Sequence, residues 1–131
     1  YLNGEENAIS NQAKRGWGAF KSNGCVACHQ EKNVGGTMYQ KIGIFEPYPN
    51  QENLGRYEIT KVESDKMVFK VPSLRNVAKT APYYHDGSIP TLDACVQFMA
   101  YYQLGRFLDQ QTVDDIVAFL ESLTGEFNEQ F

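Results

Sequence analysis

Cys25-Val26-Ala27-Cys28-His29 gathers two thiols and an imidazole into five consecutive residues. Three chemistries use such a set. A thiol–disulfide redox pair needs its C-x-x-C at the end of a strand, opening a helix. The upstream stretch "NAISNQAKRGWGAFKSNG" shows no β-branched alternation and reads as a helix. A structural zinc site needs four ligands, usually with a second short-spaced pair. The remaining donors, Cys95 and His85, lie far down the chain, and a histidine bonded directly to the second cysteine crowds a single metal. C-x-x-C-H is also the attachment signature of c-type haem. There the two thiols form thioethers with the vinyl groups of one macrocycle edge, and the adjacent imidazole reaches the iron. The spacing therefore predicts one covalent haem c held by Cys25 and Cys28, with His29 as proximal ligand.

The residue on the opposite side of the iron separates an electron carrier from a catalyst. Met38, Met67, Met99 and His85 compete for that position. Met38 follows His29 too closely to travel around the ring, and Met67 sits in "SDKMVFK", whose alternation predicts a half-buried strand residue. Met99 shares a helical face with Cys95 and precedes "AYYQLG", a stretch able to bend. Met99 is the expected distal ligand, and His/Met ligation raises a reduction potential. His85, in the loop "APYYHDGSIP", is expected at a haem propionate, with iron ligation and a surface position as its alternatives. Arg75 is expected at a propionate because a guanidinium matches carboxylate geometry, against the plainer reading of a solvated helix residue. Cys95 reads as a free buried thiol.

The elements that must position these groups follow from periodicity. Ile9, Ala13, Gly16, Trp17 and Phe20 predict a helix from Asn7 to about Phe20, ended by Asn23-Gly24. Val113, Ile116, Val117, Leu120 and Leu123 predict a last helix from about Thr112, as N-cap, to Leu123. Gly16 lets that helix cross closely, with Phe20 beside it and Trp17 as packing. A third helix is expected from Thr91 to about Tyr101, and a shorter one around Ser73 to Val77. Between Gly43 and Val71 the chain is rich in Pro, Asn, Gly and charge, and "YEITKV" and "KMVFKV" suggest a small hairpin. A loop of that length is uncommon unless it is functional, and wrapping a cofactor is such a function. The expected fold is all-α, a single c-type cytochrome domain over residues 1–131 with one covalent haem in its core.

A length of 131 residues suits one domain. A formal net charge of -4 argues against nucleic-acid binding, which needs basic patches. No run approaches the about 18 apolar residues of a membrane span. Three cysteines cannot complete a disulfide framework. The chain begins at Tyr1 without an initiating Met, which reads as cleavage in the cell, proteolysis or trimming. Covalent haem attachment implies an exported, periplasmic protein.

With "FKVPSLRNVAKTAPYYHDGSIPTLDACVQFM" in view, the sequence resembles the C-terminal haem domain of bacterial dihaem cytochrome c peroxidases. The likeness runs from "YLNGEENAISNQAKRGWGAFKSNGCVACH" through "KVPSLRNVAKTAPYYHDG" to Met99 and "IVAFLESLTG". In that family this domain takes electrons from a small soluble cytochrome or cupredoxin and passes them to a peroxidatic haem domain. The resemblance implies Cys25 and Cys28 as haem attachments, His29 and Met99 as axial ligands, and Arg75 and His85 around the propionates. It also implies calcium at the backbone carbonyls of Thr80 and Pro82, at a domain junction. A second C-x-x-C-H is not in this sequence. Alone, the chain is expected to be an electron-transfer module and a poor peroxidase. Its two possible settings are a single-haem carrier and one half of a peroxidase.

Overall fold

In the computed structural model, residue 1 and residues 3–125 are described. The first long helix, α1, spans Asn11–Ser22. It starts where Ser10, in extended backbone, accepts the Ala13 N–H on its hydroxyl at 3.1 Å. The expected start at Asn7 is corrected: Glu6–Ala8 forms a separate 3-10 turn, and Ile9 at its end is extended. Ala13, Gly16 and Phe20 recur at helical spacing and are buried. Asn23 closes the helix by donating from its side chain and its backbone to the Ala19 carbonyl.

The last helix, α4, spans Gln110–Glu121, and its N-cap is Asp109, not Thr112. The Asp109 carboxylate accepts both the Thr112 N–H and its hydroxyl at 2.9 Å. Thr112 is thus the donor in this cap, its amide and hydroxyl both turned back to a carboxylate three residues earlier. Glu121 ends the helix, two residues before the expected Leu123.

Helices α1 and α4 cross where a Cβ on Gly16 would overlap the Asp115 carbonyl and press on Phe119. Around that contact Phe20, Ile116, Phe119 and Leu120 form the buried core. Each such side chain contributes roughly 1.5–3 kcal/mol by leaving water. The rings of Trp17 and Phe20 stand 5.2 and 5.3 Å from Phe119, so Trp17 packs as expected. At the same crossing, Arg15 grips buried Asp115 with two hydrogen bonds of 2.9 Å.

The helix between them, α3, spans Leu92–Leu104, longer than expected, and closes on Gly105 in the left-handed region. Thr91 precedes it in extended backbone without a side-chain capping bond. The Gln97 amide donates to the Leu108 carbonyl and accepts the Leu108 N–H, which fixes the α3–α4 connection.

The middle segment departs from the all-α expectation. Strand β1, Tyr39–Lys41, pairs antiparallel with β2, Val68–Lys70, with Gln40 opposite Phe69. "YEIT" is not the partner of β2. Tyr57–Thr60 forms the one-turn helix α2, because a four-residue alternation fits either period and Arg56 is held to Asp65 at 3.2 Å. Met67 lies just before β2 with φ 60° and is buried beside Ile42 and Tyr48, rather than half-buried within a strand. The short helix expected around Ser73 to Val77 is a 3-10 turn at Val77–Lys79.

Gly16→Ala should therefore cost about 1–3 kcal/mol of unfolding free energy by urea titration, the usual range for forcing atoms into a packed contact. Gly18, with nothing within 4 Å of its would-be Cβ, should gain about 0.5–1 kcal/mol on replacement by Ala. Equal effects at the two positions would mean that the crossing is not tight.

Candidate haem site

The motif turns immediately beneath the helix crossing. Cys25–Ala27 forms a 3-10 turn, and the His29 N–H reaches back to the Cys25 carbonyl at 3.0 Å. This folds two thiols and an imidazole onto one short loop. Both thiols are free and half-buried. Burial pushes the Cys25 thiol up to about 11, so it stays neutral near pH 7.

The His29 ring lies 6.2 Å from Phe20. Burial lowers its pKa, opposed by the carbonyls of Val34 and Pro72. Its Nδ1 is buried without a hydrogen bond of good geometry, yet it lies where a Cβ on Gly35 would touch both it and the Pro72 carbonyl. Gly35 has φ 123°, so the residue is needed for conformation and for space. An imidazole whose Nδ1 faces a backbone carbonyl presents Nε2 as its ligating nitrogen.

The chain after the motif is laced to "VPSL". Gly36 N–H donates to the Val71 carbonyl at 2.9 Å, and the Ser73 hydroxyl donates to the Asn33 carbonyl at 2.7 Å. A cavity of about 330 Å³ opens beside the motif, lined among others by Trp17, Val26, His29, Val34 and Phe119.

Of the other expected residues, Met99 is half-buried in the third turn of α3, and Cys95 lies one turn before it. Burial pushes the Cys95 thiol up to about 12, the state of an inert neutral thiol. Met38 and Met67 are used by the sheet: the Met38 carbonyl accepts the Val71 N–H, and Met67 is a core residue. His85 stacks on Phe69 at 4.1 Å with its Nε2 buried and unpartnered. Arg75 is exposed, its backbone N–H bound to the Ser73 hydroxyl. Thr80 and Pro82 are exposed, and the Thr80 hydroxyl donates to the Val77 carbonyl.

Sequence reasoning missed Gly35 and the polar cluster around Asp86. Tyr48 and Asn50 donate to the Asp86 carboxylate at 3.0 and 2.9 Å, and the Ser88 N–H donates at 3.1 Å. The Gly35-Gly36 pair is a signal for the first. The second joins residues nearly forty positions apart and leaves no local trace.

These residues suit a covalently attached haem. The Cys25 thiol is neutral, and the imidazole Nδ1 lies beside the Pro72 carbonyl. Around the buried core, Val26, Val34, Leu74, Val77, Leu92 and Val96 form an apolar lining that is only partly buried. Among the described residues, no group of three or more His, Cys, Asp or Glu converges as a metal cluster would.

Comparison with known proteins covers nearly the whole chain. No family model matches the sequence. The chain is 47% identical over 131 residues to the cytochrome c peroxidase of Escherichia coli K12, a match covering 97% of this chain and 28% of the relative. It is 45% identical over 127 residues to the cytochrome c551 peroxidase of Nitrosomonas europaea, covering 96% of this chain and 38% of the relative. Over nearly its whole length the chain is homologous to cytochrome c peroxidases, which fit the dihaem cytochrome c peroxidase family. It spans well under half the length of these peroxidases. Its fold is shared with a solved MauG-like protein associated with microbial copper homeostasis, at a TM-score of 0.80 and 26% identity, over 96% of this chain and 47% of that one.

The Asp86 cluster gives a pH dependence to this peroxidase-family fold. Burial raises the Asp86 pKa, but the Ser88, Tyr48 and Asn50 donors outweigh it and hold the carboxyl at about 2. Its stabilising contribution is complete above the unfolded carboxyl value of about 3.9. It is lost as pH falls from there through the folded value. The urea midpoint should fall over that window, and Asp86→Asn should flatten the fall. An unchanged slope in the variant would assign the acid sensitivity to other carboxylates.

Proposed function

We propose that this chain is the electron-accepting haem domain of a dihaem cytochrome c peroxidase, corresponding to the C-terminal part of that family. The observation that carries the reading is the Cys25–His29 turn seated under the α1–α4 crossing, with the His29 Nδ1 beside the Pro72 carbonyl. A haem held there supplies one-electron chemistry. Cys25 and Cys28 would hold it through thioethers, and His29 and Met99 would supply its iron ligands. Arg75 and His85 pair with the propionates, for which an unpartnered, buried His85 Nε2 is a suitable donor. Ligation by an imidazole and a thioether would favour the ferrous state and raise the potential.

The donor is a small soluble cytochrome or cupredoxin in the periplasm, docking by charge and shape at an exposed edge. Among the described residues, no helix is long and apolar enough to cross a membrane. A second reading is favoured by length: the chain spans 28% and 38% of the two peroxidases. In that reading it acts as half of a peroxide-reducing enzyme, paired with a peroxidatic haem domain. The carbonyls of Thr80 and Pro82 then contribute to calcium at the junction.

The mature protein should carry one haem that acid–acetone does not extract, visible as one haem of added mass, and Cys25→Ala should make attachment incomplete. Met99→Ala should admit carbon monoxide to the reduced iron, and Met99→His should remain low-spin at a lower potential. If Met67→Ala admits carbon monoxide and Met99→Ala does not, the distal ligand has been misassigned. The isolated chain should turn over peroxide far below the roughly 10 per second typical of enzymes. Turnover at that level without a second haem domain would refute the electron-transfer reading. Turnover appearing only on adding one would establish the second reading.

A further inference from the structure

The aromatic side chains of the middle segment and α3 form a continuous column from the interior to the surface. Tyr84 stacks on Tyr48 with centroids 5.4 Å apart and planes 12° from parallel. Tyr48 meets Tyr102 edge-on at 5.4 Å. Tyr102 meets Tyr101 at 5.1 Å, and Tyr101 lies 4.9 Å from Phe107, which is 81% exposed. At such separations neighbouring rings are in direct contact. The inner end is closed: the Tyr84 hydroxyl is buried and unpartnered.

Burying rings requires no such chemistry at their hydroxyls, and the hydroxyls differ. A phenol that loses an electron becomes a very strong acid, so it gives up the electron readily only where a base can take the proton. Tyr83 donates to the Val77 carbonyl, a poor base. Tyr48, 4% exposed, donates to the Asp86 carboxylate at 3.0 and 3.2 Å, and its oxygen lies within hydrogen-bond distance of the Ser88 hydroxyl at 2.8 Å. Asp86 in turn is held by Asn50 and by the Ser88 N–H, so the acceptor is fixed in place.

We propose that Tyr48 is a redox-active phenol, and that the column Tyr84–Tyr48–Tyr102–Tyr101 carries oxidising equivalents between the interior and the surface. One electron leaves the Tyr48 ring for a one-electron oxidant. The O–H bond breaks and the proton crosses to Asp86, leaving a neutral tyrosyl radical and a carboxylic acid. An external one-electron reductant of the phenol or ascorbate class, arriving at Tyr101, supplies the electron back through Tyr102, and the proton returns from Asp86. By the reading above, the biological oxidant is a peroxide-derived one-electron oxidant. The site itself does not depend on that reading.

The test supplies its own oxidant: a photo-oxidised ruthenium polypyridyl in solution with the full haem-loaded chain, followed by transient absorption and freeze-quench electron paramagnetic resonance. The wild type should yield a tyrosyl radical. Tyr48→Phe should lower its yield severalfold and change the line shape of what remains. Asp86→Asn keeps the ring but removes the proton acceptor, and radical formation should slow severalfold. Tyr102→Phe should slow it likewise by interrupting the route from the surface. Circular dichroism verifies each fold. If Tyr48→Phe does not fold, Asp86→Asn and Tyr102→Phe decide. An unchanged yield and line shape in Tyr48→Phe, or unchanged rates in both other variants, would overturn the proposal. Because the oxidant is external, these outcomes stand whichever way the peroxide assays fall.

Discussion

The structure depends on one backbone contact, the Asp115 carbonyl lying against the Cα of Gly16. A side chain at Gly16 would hold the two terminal helices apart, and the rings of Trp17, Phe20 and Phe119 would lose their shared packing. The motif follows α1 directly, so the angle at which Cys25 and His29 leave that helix is set by the same crossing. Asp115 contributes twice, through its backbone to the close approach and through its carboxylate to Arg15. The guanidinium depresses the carboxyl's pKa and keeps the buried group charged and paired.

Away from the crossing, regular structure gives way to specific polar and aromatic contacts. Gln103 joins β1 to α3 by donating to the Lys41 carbonyl and accepting the Gly43 N–H. Phe45 packs on Gly105, and its N–H donates to the Tyr102 carbonyl. The middle segment is thus ordered by side chains that satisfy particular backbone groups, as a chain with few ladder bonds must be.

That difference explains what was legible in the sequence. The attachment motif is a local spacing, and α1 and α4 have strong periodicity, so their existence and their meeting at Gly16 could be read directly. Ser10 and Asp109 were harder. Both ends offered several residues of the capping type, and only backbone geometry selects among them. "YEIT" is too short for its alternation to exclude a helix. Pairs such as Arg15 with Asp115, or Tyr48 with Asp86, are long-range choices among many possible charge and hydroxyl partners. The Cys25–His29 motif was legible from types and spacing, whereas Gly35 acquires its role only when Pro72 is brought against it.

The crossing also orders events in time. Arg15 and Asp115 are separated by 100 positions, so the helices that cover the motif come from opposite ends of the described chain. Such non-local pairing pays its loop-closure entropy before any contact rewards it, and it forms slowly. As the chain emerges from its N-terminal side, on export as in synthesis, α1 and the thiols appear before α4. In that interval the motif is an accessible peptide, and Cys25 is spared the burial that later raises its pKa. On the reading proposed above, a haem would be attached most easily in this window, which the arrival of α4 would close.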